Sequence, residues 1–280
     1  MTALAGYRNA PTKTVDVGGT TFAYRRLGPD HGTPVIFLNH LAAVLDNWDP
    51  LVVDGIAAKR PVITFDNRGI GASQGKTPRS VAEMARDAIA FIRASGHDEV
   101  DLLGFSLGGF VAQVIAEEEP RLVRRMILAG TGPAGGAGID KVTPITLLDT
   151  LKAALTFKDP KEYLFFTRTA DGKAKARQFV NRLKERTEDR DKPISVTAFR
   201  NQLKAIHRWG RRRPSDLTVI RQPVLVANGD QDRMVPSRNS ADLARRLPNG
   251  RLVLYPDAGH GGIFQYHAEF VEEALRFLDA

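Results

Sequence analysis

The stretch Gly104-Phe105-Ser106-Leu107-Gly108-Gly109 decides the fold of this chain. The apolar residues at 100–103 predict a short buried strand before it, and the apolar residues at 110–115 predict a helix after it. A serine between glycines at a strand-to-helix turn matches the G-x-S-x-G pattern of a nucleophile elbow. Glycine suits the flanking positions because two chain segments pass close to each other there. The pattern therefore predicts a nucleophilic Ser106 beside a helix N-terminus that favours an anion.

Strands and helices alternate on both sides of this turn. Short continuous apolar runs are typical of strands that a parallel sheet buries on both faces, and helical periodicity separates them. The alternation predicts a doubly wound, mostly parallel α/β sheet of about eight strands. It stops at residues 130–136, where a helical pattern without strands begins, and a short helix is predicted to start at Asp46. The predicted strands cover residues 14–17, 20–25, 35–38, 62–65, 100–103, 125–129, 223–227 and 252–255.

An acid and a histidine follow the last two predicted strands. A serine nucleophile needs a base, and the base needs a group that orients it. Loops at the carboxyl ends of parallel strands converge on one crevice, so partners of Ser106 are expected there. Asp230 and Asp232 follow the first of these strands, and His260 follows the second. The order serine, acid, histidine differs from that of trypsin-like and subtilisin-like proteases.

Taken together, these motifs resemble the α/β-hydrolase superfamily, and more narrowly the group of non-haem haloperoxidases, small esterases and enol-lactonases. The matching segments are 65–73, 104–109, 229–236 and 259–260, in that order. The resemblance implies Ser106 as nucleophile, His260 as base and Asp232 as the orienting acid. In similar proteins the acid lies three residues after the glycine and four before the proline, which selects Asp232, while Asp230 suits turn hydrogen bonds.

The same resemblance implies an oxyanion hole made of two backbone N–H groups. Leu107, directly after the nucleophile, is expected to supply one of them. Family members usually have His-Gly before the residue that supplies the other, and the matching residues here are His40, Leu41 and Ala42. Ala42 is therefore the expected second donor, although Leu41 stands where glycine is usual.

The resemblance also divides the chain into a core domain and a cap. Residues 1–132 and 216–280 are expected to form the α/β-hydrolase core, and residues 133–215 a helical cap inserted after the sixth strand. A cap excludes water and shapes the substrate pocket. His40, Leu41 and Trp209 are the predicted substrate contacts. The other apolar candidates for the pocket lining in the cap are Phe157, Tyr163, Phe165 and Phe166.

Composition and charge limit the kinds of partner that the chain is expected to bind. The chain has 280 residues, no cysteine and a formal charge of +8, so disulfides and thiolate metal sites are excluded. Residues 152–213 hold 18 Lys and Arg against 7 Asp and Glu, a charge of +11, which leaves −3 for the remainder. This local excess is typical of a solvated helical surface, or of one that steers anionic substrates. We expect no nucleic-acid partner, membrane span, metal or cofactor, and a monomer or homodimer.

The N-terminal stretch at residues 1–8 lacks a basic start followed by an apolar run, so no secretory signal is predicted and a cytoplasmic location is expected. The predicted function is cleavage of a small-molecule carboxylic ester or lactone through an acyl-enzyme on Ser106. A C–C bond hydrolase or a haloperoxidase-like perhydrolase would use the same three residues. A small-molecule receptor that keeps the pocket with little turnover is the alternative outside catalysis.

Overall fold

The computed structural model describes residues 6–280. Residues 1–5, which belong to the predicted core and to the N-terminal stretch predicted to carry no secretory signal, lie outside the described residues. Its centre is one eight-stranded sheet with the strand order β1-β2-β4-β3-β5-β6-β7-β8. Strand β2 pairs antiparallel with both β1 and β4, and all pairs among β3 to β8 are parallel. The strands are β1 Lys13–Val17, β2 Thr20–Leu27, β3 Val35–Leu38, β4 Val62–Phe65, β5 Val100–Phe105, β6 Val123–Ala129, β7 Val224–Gly229 and β8 Gly250–Tyr255.

Helices cover both faces of the sheet. Apolar residues of α2, α3 and α8 form one core against the sheet, and those of α1, α9 and α10 form the other. No helix among residues 6–280 is long and apolar enough to span a membrane. The helices are α1 Pro50–Ala57, α2 Val81–Ala94, α3 Leu107–Glu118, α4 Val142–Leu155, α5 Pro160–Leu164, α6 Ala170–Leu183, α7 Val196–Gly210, α8 Arg238–Arg246, α9 Gly262–Gln265 and α10 His267–Asp279.

The predicted strands all occur, and β3 and β4 match their predicted limits. All four residues of each of these two strands are buried, as expected for strands inside a parallel sheet. The predicted helix start at Asp46 is wrong. A single 3₁₀ turn covers Leu45–Asn47, and α1 begins at Pro50 because the Asp49 carboxylate accepts a hydrogen bond from the Leu51 N–H at 3.1 Å.

Helices α4 to α7 form the connection between β6 and β7, which we call the helical insertion. The segment predicted as the cap, residues 133–215, thus contains these four helices. The division into core and cap domains stays a prediction. Arginines of the insertion contact acids of the core. Arg182 of α6 binds both carboxylate oxygens of the fully buried Asp49, at 2.9 and 2.6 Å. Part of the positive charge of the insertion is therefore neutralised by an acid that lies outside the insertion.

We expect Arg182→Ala to destabilise the protein by about 3–5 kcal/mol, because it leaves the buried Asp49 carboxylate without its cation. Arg93→Ala is the matched control. Arg93 pairs with Asp98 and Glu119, all three side chains are more than 40% exposed, and loss of such surface pairs costs about 0–1 kcal/mol. Chemical denaturation of both variants measures the difference. Equal free energies of unfolding would contradict a stabilising role for the contact between Arg182 and Asp49.

Candidate active site

The turn between β5 and α3 holds Ser106 in an unusual backbone conformation. Its φ is 56° and its ψ is −114°, a region that non-glycine residues rarely adopt. A Cβ atom on Gly104 would lie 2.5 Å from the carbonyl oxygen of Gly108, and one on Gly108 would overlap the carbonyl oxygen of Leu38. These contacts explain why glycine is required on both sides of the serine, as the sequence pattern predicted.

Asp232 and His260 meet at the carboxyl ends of β7 and β8. His260 Nδ1 lies 2.8 Å from Asp232 Oδ2, and the other carboxylate oxygen accepts from the N–H groups of Met234 at 2.8 Å and Val235 at 3.0 Å. Because a carboxylate oxygen accepts, the Nδ1 proton of His260 faces it and Nε2 is left as the basic nitrogen. Asp230 instead accepts from the N–H of Ala258 at 3.3 Å, a turn contact. Geometry thus favours Asp232 over Asp230 as the partner of His260.

Ser106 and His260 line the same cavity, which has a volume of about 30 Å³. That volume is small for a binding site, since ligand pockets usually measure about 300–1,000 Å³. Residues of the helical insertion and residues outside it both contribute to its wall. The lining residues are His40, Leu41, Ser106, Phe110, Val142, Leu164, Phe165, Ile206, Met234, Val235 and His260.

His40 brings a second imidazole to this cavity. Its Nδ1 lies 2.8 Å from the carbonyl oxygen of Leu41, so Nδ1 carries the proton, and its buried Nε2 has no hydrogen-bond partner among the described residues. The rings of Phe105 and Phe165 pack edge-on against it. Burial, with a smaller contribution from the positive charge of Lys161, lowers the pKa of His40 to about 3. His40 is therefore neutral, and its Nε2 is a buried hydrogen-bond acceptor.

Of the two N–H groups predicted to bind the oxyanion, one is free to donate and the other already has an acceptor. The N–H of Leu107 is the first in α3, and first-turn N–H groups have no partner within their helix. Ala42, by contrast, has a φ of 63°, and its N–H donates to the side-chain oxygen of Gln202 at 2.8 Å. The left-handed residue of this loop is therefore Ala42 rather than Leu41. Sequence reasoning missed Gln202, and only its position on an amphipathic helix hinted at burial.

Three of the predicted contact residues in the insertion lie away from the cavity. Trp209 lies behind the cavity wall, stacked on Phe110 with ring centroids 5.4 Å apart, and donates to the carbonyl oxygen of Gly132. Phe157 is 99% exposed, and Tyr163 is buried against other residues of the insertion. Phe165 lines the cavity as predicted, and Phe166 lines a groove on its outer side.

A family model described as alpha/beta hydrolase fold matches residues 33–265. The chain therefore belongs to the α/β-hydrolase fold family, which confirms the resemblance and the fold class expected from the sequence.

Its relatives include named hydrolases. The chain is 29% identical to the non-heme bromoperoxidase BpoC of Mycobacterium tuberculosis, over 89% of this chain and 95% of that protein. It is 26% identical to a pimeloyl-[acyl-carrier protein] methyl ester esterase of Aliivibrio salmonicida, over 82% and 86%. An alpha/beta hydrolase fold protein from Chitinophaga pinensis has a solved structure that is 40% identical, with a TM-score of 0.92 over 99% and 100%. Relatives with such names support the expectation that this chain is an enzyme.

No three His, Asp or Glu side chains within residues 6–280 are grouped so that they could hold a metal ion.

We expect the ring of His40 to show no titration between pH 8 and pH 5. Because burial places its pKa at about 3, the folded protein keeps it neutral, while the unfolded chain binds a proton near pH 6.5. The contribution of the neutral His40 ring to the free energy of unfolding is therefore fully present above pH 6.5. It is lost as the pH falls below 6.5, because the unfolded chain then binds a proton that the folded protein does not. NMR of the ring Cε1–H shifts measures the titration, with His40→Gln used to assign the resonance. A sigmoidal shift centred near pH 6.5 would contradict the buried neutral ring.

Proposed function

We propose that the protein is a serine hydrolase that cleaves a carboxylic ester or lactone of a small molecule through an acyl-enzyme on Ser106. The contact of His260 with Asp232 carries the proposal. It fixes the proton on Nδ1 and leaves Nε2 as a base in the cavity that Ser106 also lines. A base oriented in this way is what a serine hydroxyl needs in order to attack a carbonyl group.

In the proposed reaction, Ser106 Oγ attacks the carbonyl carbon while His260 Nε2 takes the serine proton. The negative oxygen that forms is stabilised by N–H donors, of which Leu107 supplies one. Collapse of the intermediate breaks the bond to the leaving alcohol, which takes the proton from His260. Water then attacks the acyl-enzyme with the same base, and the acid is released. Asp232 stabilises the imidazolium in both halves of the reaction.

Two alternatives use the same residues. The relative named as a bromoperoxidase favours perhydrolysis, in which hydrogen peroxide replaces water in the second half of the reaction. The relative named as a methyl ester esterase instead favours ester cleavage by water, as in the proposed reaction. A C–C bond hydrolase would also use Ser106 and His260, whereas a receptor would bind without turnover.

We further propose that residues 133–215 act as a cap that must move to admit substrate. Val142, Leu164, Phe165 and Ile206 belong to the helical insertion and form much of the wall of a cavity of about 30 Å³. Ligand pockets usually measure about 300–1,000 Å³, so we expect these side chains to shift when a substrate enters. The sheet domain that carries Ser106 and His260 can stay fixed during this movement.

The proposed substrate is anionic. A groove of about 430 Å³ on the outer side of the cavity reaches His260, and Arg168 and Arg233 line it. Arg233 is paired with Asp149, whereas the guanidinium of Arg168 lies over the ring of Tyr163, 3.9 Å from its centroid. A carboxylate in this groove would meet an Arg168 guanidinium that the ring of Tyr163 holds in place.

We expect wild-type protein to hydrolyse short p-nitrophenyl esters and to react with a fluorophosphonate probe. Ser106→Ala should lose both activities, because the alanine has no hydroxyl to acylate or phosphonylate. Product absorbance and probe labelling measure them, and a chain-length series of esters defines the acyl group. Thr131→Ala is the control for disturbance of the turn, since the Thr131 hydroxyl only donates to the Ser106 carbonyl at 2.8 Å. Equal labelling of wild type and Ser106→Ala would reject the proposed function.

We expect Arg168→Ala to raise KM for an ester that carries a carboxylate by about twofold to fivefold at low salt, as for loss of one partly exposed charge pair. KM for a neutral ester of the same length should not change. Arg177→Ala is the control, because Arg177 is an exposed arginine of the same insertion that does not line the groove. The same increase for both esters, or for both variants, would contradict a carboxylate site at Arg168.

A further inference from the structure

Helix α4 of the helical insertion turns its leucines toward solvent. Leu147, Leu148, Leu151 and Leu155 are between 54% and 73% exposed. Their spacing of three and four residues to either side of Leu151 places them on one side of the helix, which we call the leucine face. A helix on the surface of a protein usually packs such a side against the core. In α4 this arrangement is reversed, and the leucine face is open to solvent.

The inward side of α4 fixes this orientation. Its buried residues are Val142, Thr146, Asp149 and Ala153, which lie on the side opposite the leucines. The Asp149 carboxylate accepts a hydrogen bond from the guanidinium of Arg233, in the loop after β7. A half-turn of α4 that buried the leucines would separate these two charges. The ion pair therefore holds the leucine face outward.

Phe157 adds a large exposed ring directly after α4. Its φ is 54°, in the left-handed region, and its side chain is 99% exposed. The N–H of Lys158 donates to the carbonyl oxygen of Ala153 at 3.0 Å, and the N–H of Phe157 donates to that of Ala154 at 3.3 Å. These two bonds form a Schellman turn, in which glycine usually occupies the left-handed position. A phenylalanine there is strained and gains nothing from packing, so folding alone does not explain it.

The charges exposed next to the leucine face are positive. Lys152 lies in α4 and Lys158 follows Phe157, and both lysines are exposed. Their ammonium groups lie over the ring of Tyr163, at 5.3 and 5.9 Å from its centroid. The acids of residues 142–168 are buried or half-buried, and each is paired with a cation. These acids are Asp149, Asp159 and Glu162.

Helix α7 adds further cations beside α4. It packs against α4, and its exposed side carries Arg200, Lys204 and Arg208, each four residues from the next. Residues 152–213 of the insertion together carry a charge of +11. A second copy docked on the leucine face would bring two such excesses together, and like charges repel. An anionic surface would be attracted instead.

Exposed leucines and a phenylalanine beside lysines and arginines are typical of segments that lie in the interface of an anionic membrane. We propose that the leucine face and Phe157 dock this protein on the surface of an anionic lipid bilayer. The apolar side chains enter the boundary between headgroups and acyl chains, and Lys152 and Lys158 contact the lipid phosphates. Since no helix among residues 6–280 is long and apolar enough to span a membrane, the docking involves the bilayer surface only.

Co-sedimentation with vesicles that contain phosphatidylglycerol and phosphatidylcholine tests the docking, with vesicles of phosphatidylcholine alone for comparison. We expect wild type to bind the anionic vesicles about tenfold more strongly or better, and added salt to weaken that binding. The triple variant Leu148→Ser, Leu151→Ser and Phe157→Ser should weaken it by about tenfold or more, because three apolar side chains no longer enter the bilayer. The double variant Lys152→Gln and Lys158→Gln should weaken binding to the anionic vesicles by roughly tenfold.

The double variant Leu51→Ser and Val219→Ser is the matched control. Both residues are exposed and apolar but lie outside the insertion, so this variant should bind like wild type. No binding of wild type to the anionic vesicles, or undiminished binding by the triple variant, would overturn the proposal. So would a wild-type dimer in analytical ultracentrifugation that the triple variant loses, since a second copy would then cover the leucine face.

The docking is independent of the proposed reaction. Vesicle binding does not require the hydroxyl of Ser106, so Ser106→Ala should bind the anionic vesicles like wild type. Failure of wild type to hydrolyse esters would therefore overturn the proposed function and leave the docking intact, whereas loss of vesicle binding would do the reverse.

Discussion

The rest of the site depends on the backbone turn at Ser106. A non-glycine residue in so strained a conformation costs about 1–3 kcal/mol and persists only where its surroundings hold it. Here the Ser106 N–H donates to the carbonyl oxygen of Ala129 at 2.8 Å, and the Thr131 hydroxyl donates to the Ser106 carbonyl at 2.8 Å. The adjacent strand β6 and the residues after it thus hold the turn. The result is a serine that projects from the end of β5 toward the cavity.

Parallel pairing then determines which side chains can reach this serine. Leu38 pairs with Gly104, so the loop that follows β3 starts beside the turn. Tyr255, at the end of β8, pairs with Gly229 of β7, which brings His260 and Asp232 to the same edge. The buried Asp66 carboxylate accepts from the N–H of Leu45 at 3.0 Å and so fixes the far end of the loop after β3. Burial raises the pKa of Asp66 well above its usual value, which favours the protonated form.

The sequence was sufficient to predict which residues lie together at the carboxyl ends of the strands, because that placement follows from strand order. Ser106, Asp232 and His260 each come directly after a strand whose apolar run is unambiguous, and parallel strands bring such positions together. Contacts across the insertion were not predictable in this way. Gln202 lies 160 residues from Ala42 and Arg182 lies 133 residues from Asp49, and helical periodicity does not specify which core loop a helix face contacts. For the same reason, an aromatic residue such as Trp209 could be placed in a core but not on a particular wall.

Mass spectrometry of acid-quenched reactions with a p-nitrophenyl ester tests most directly the claim that Ser106 carries the acyl group during turnover. We expect the acyl mass on the proteolytic peptide that contains Ser106, at a level that rises before steady state and then stays constant. The same peptide from Ser106→Ala should remain unmodified. Turnover of the ester by wild type without any acyl group on that peptide, or with the group on another residue, would contradict the claim.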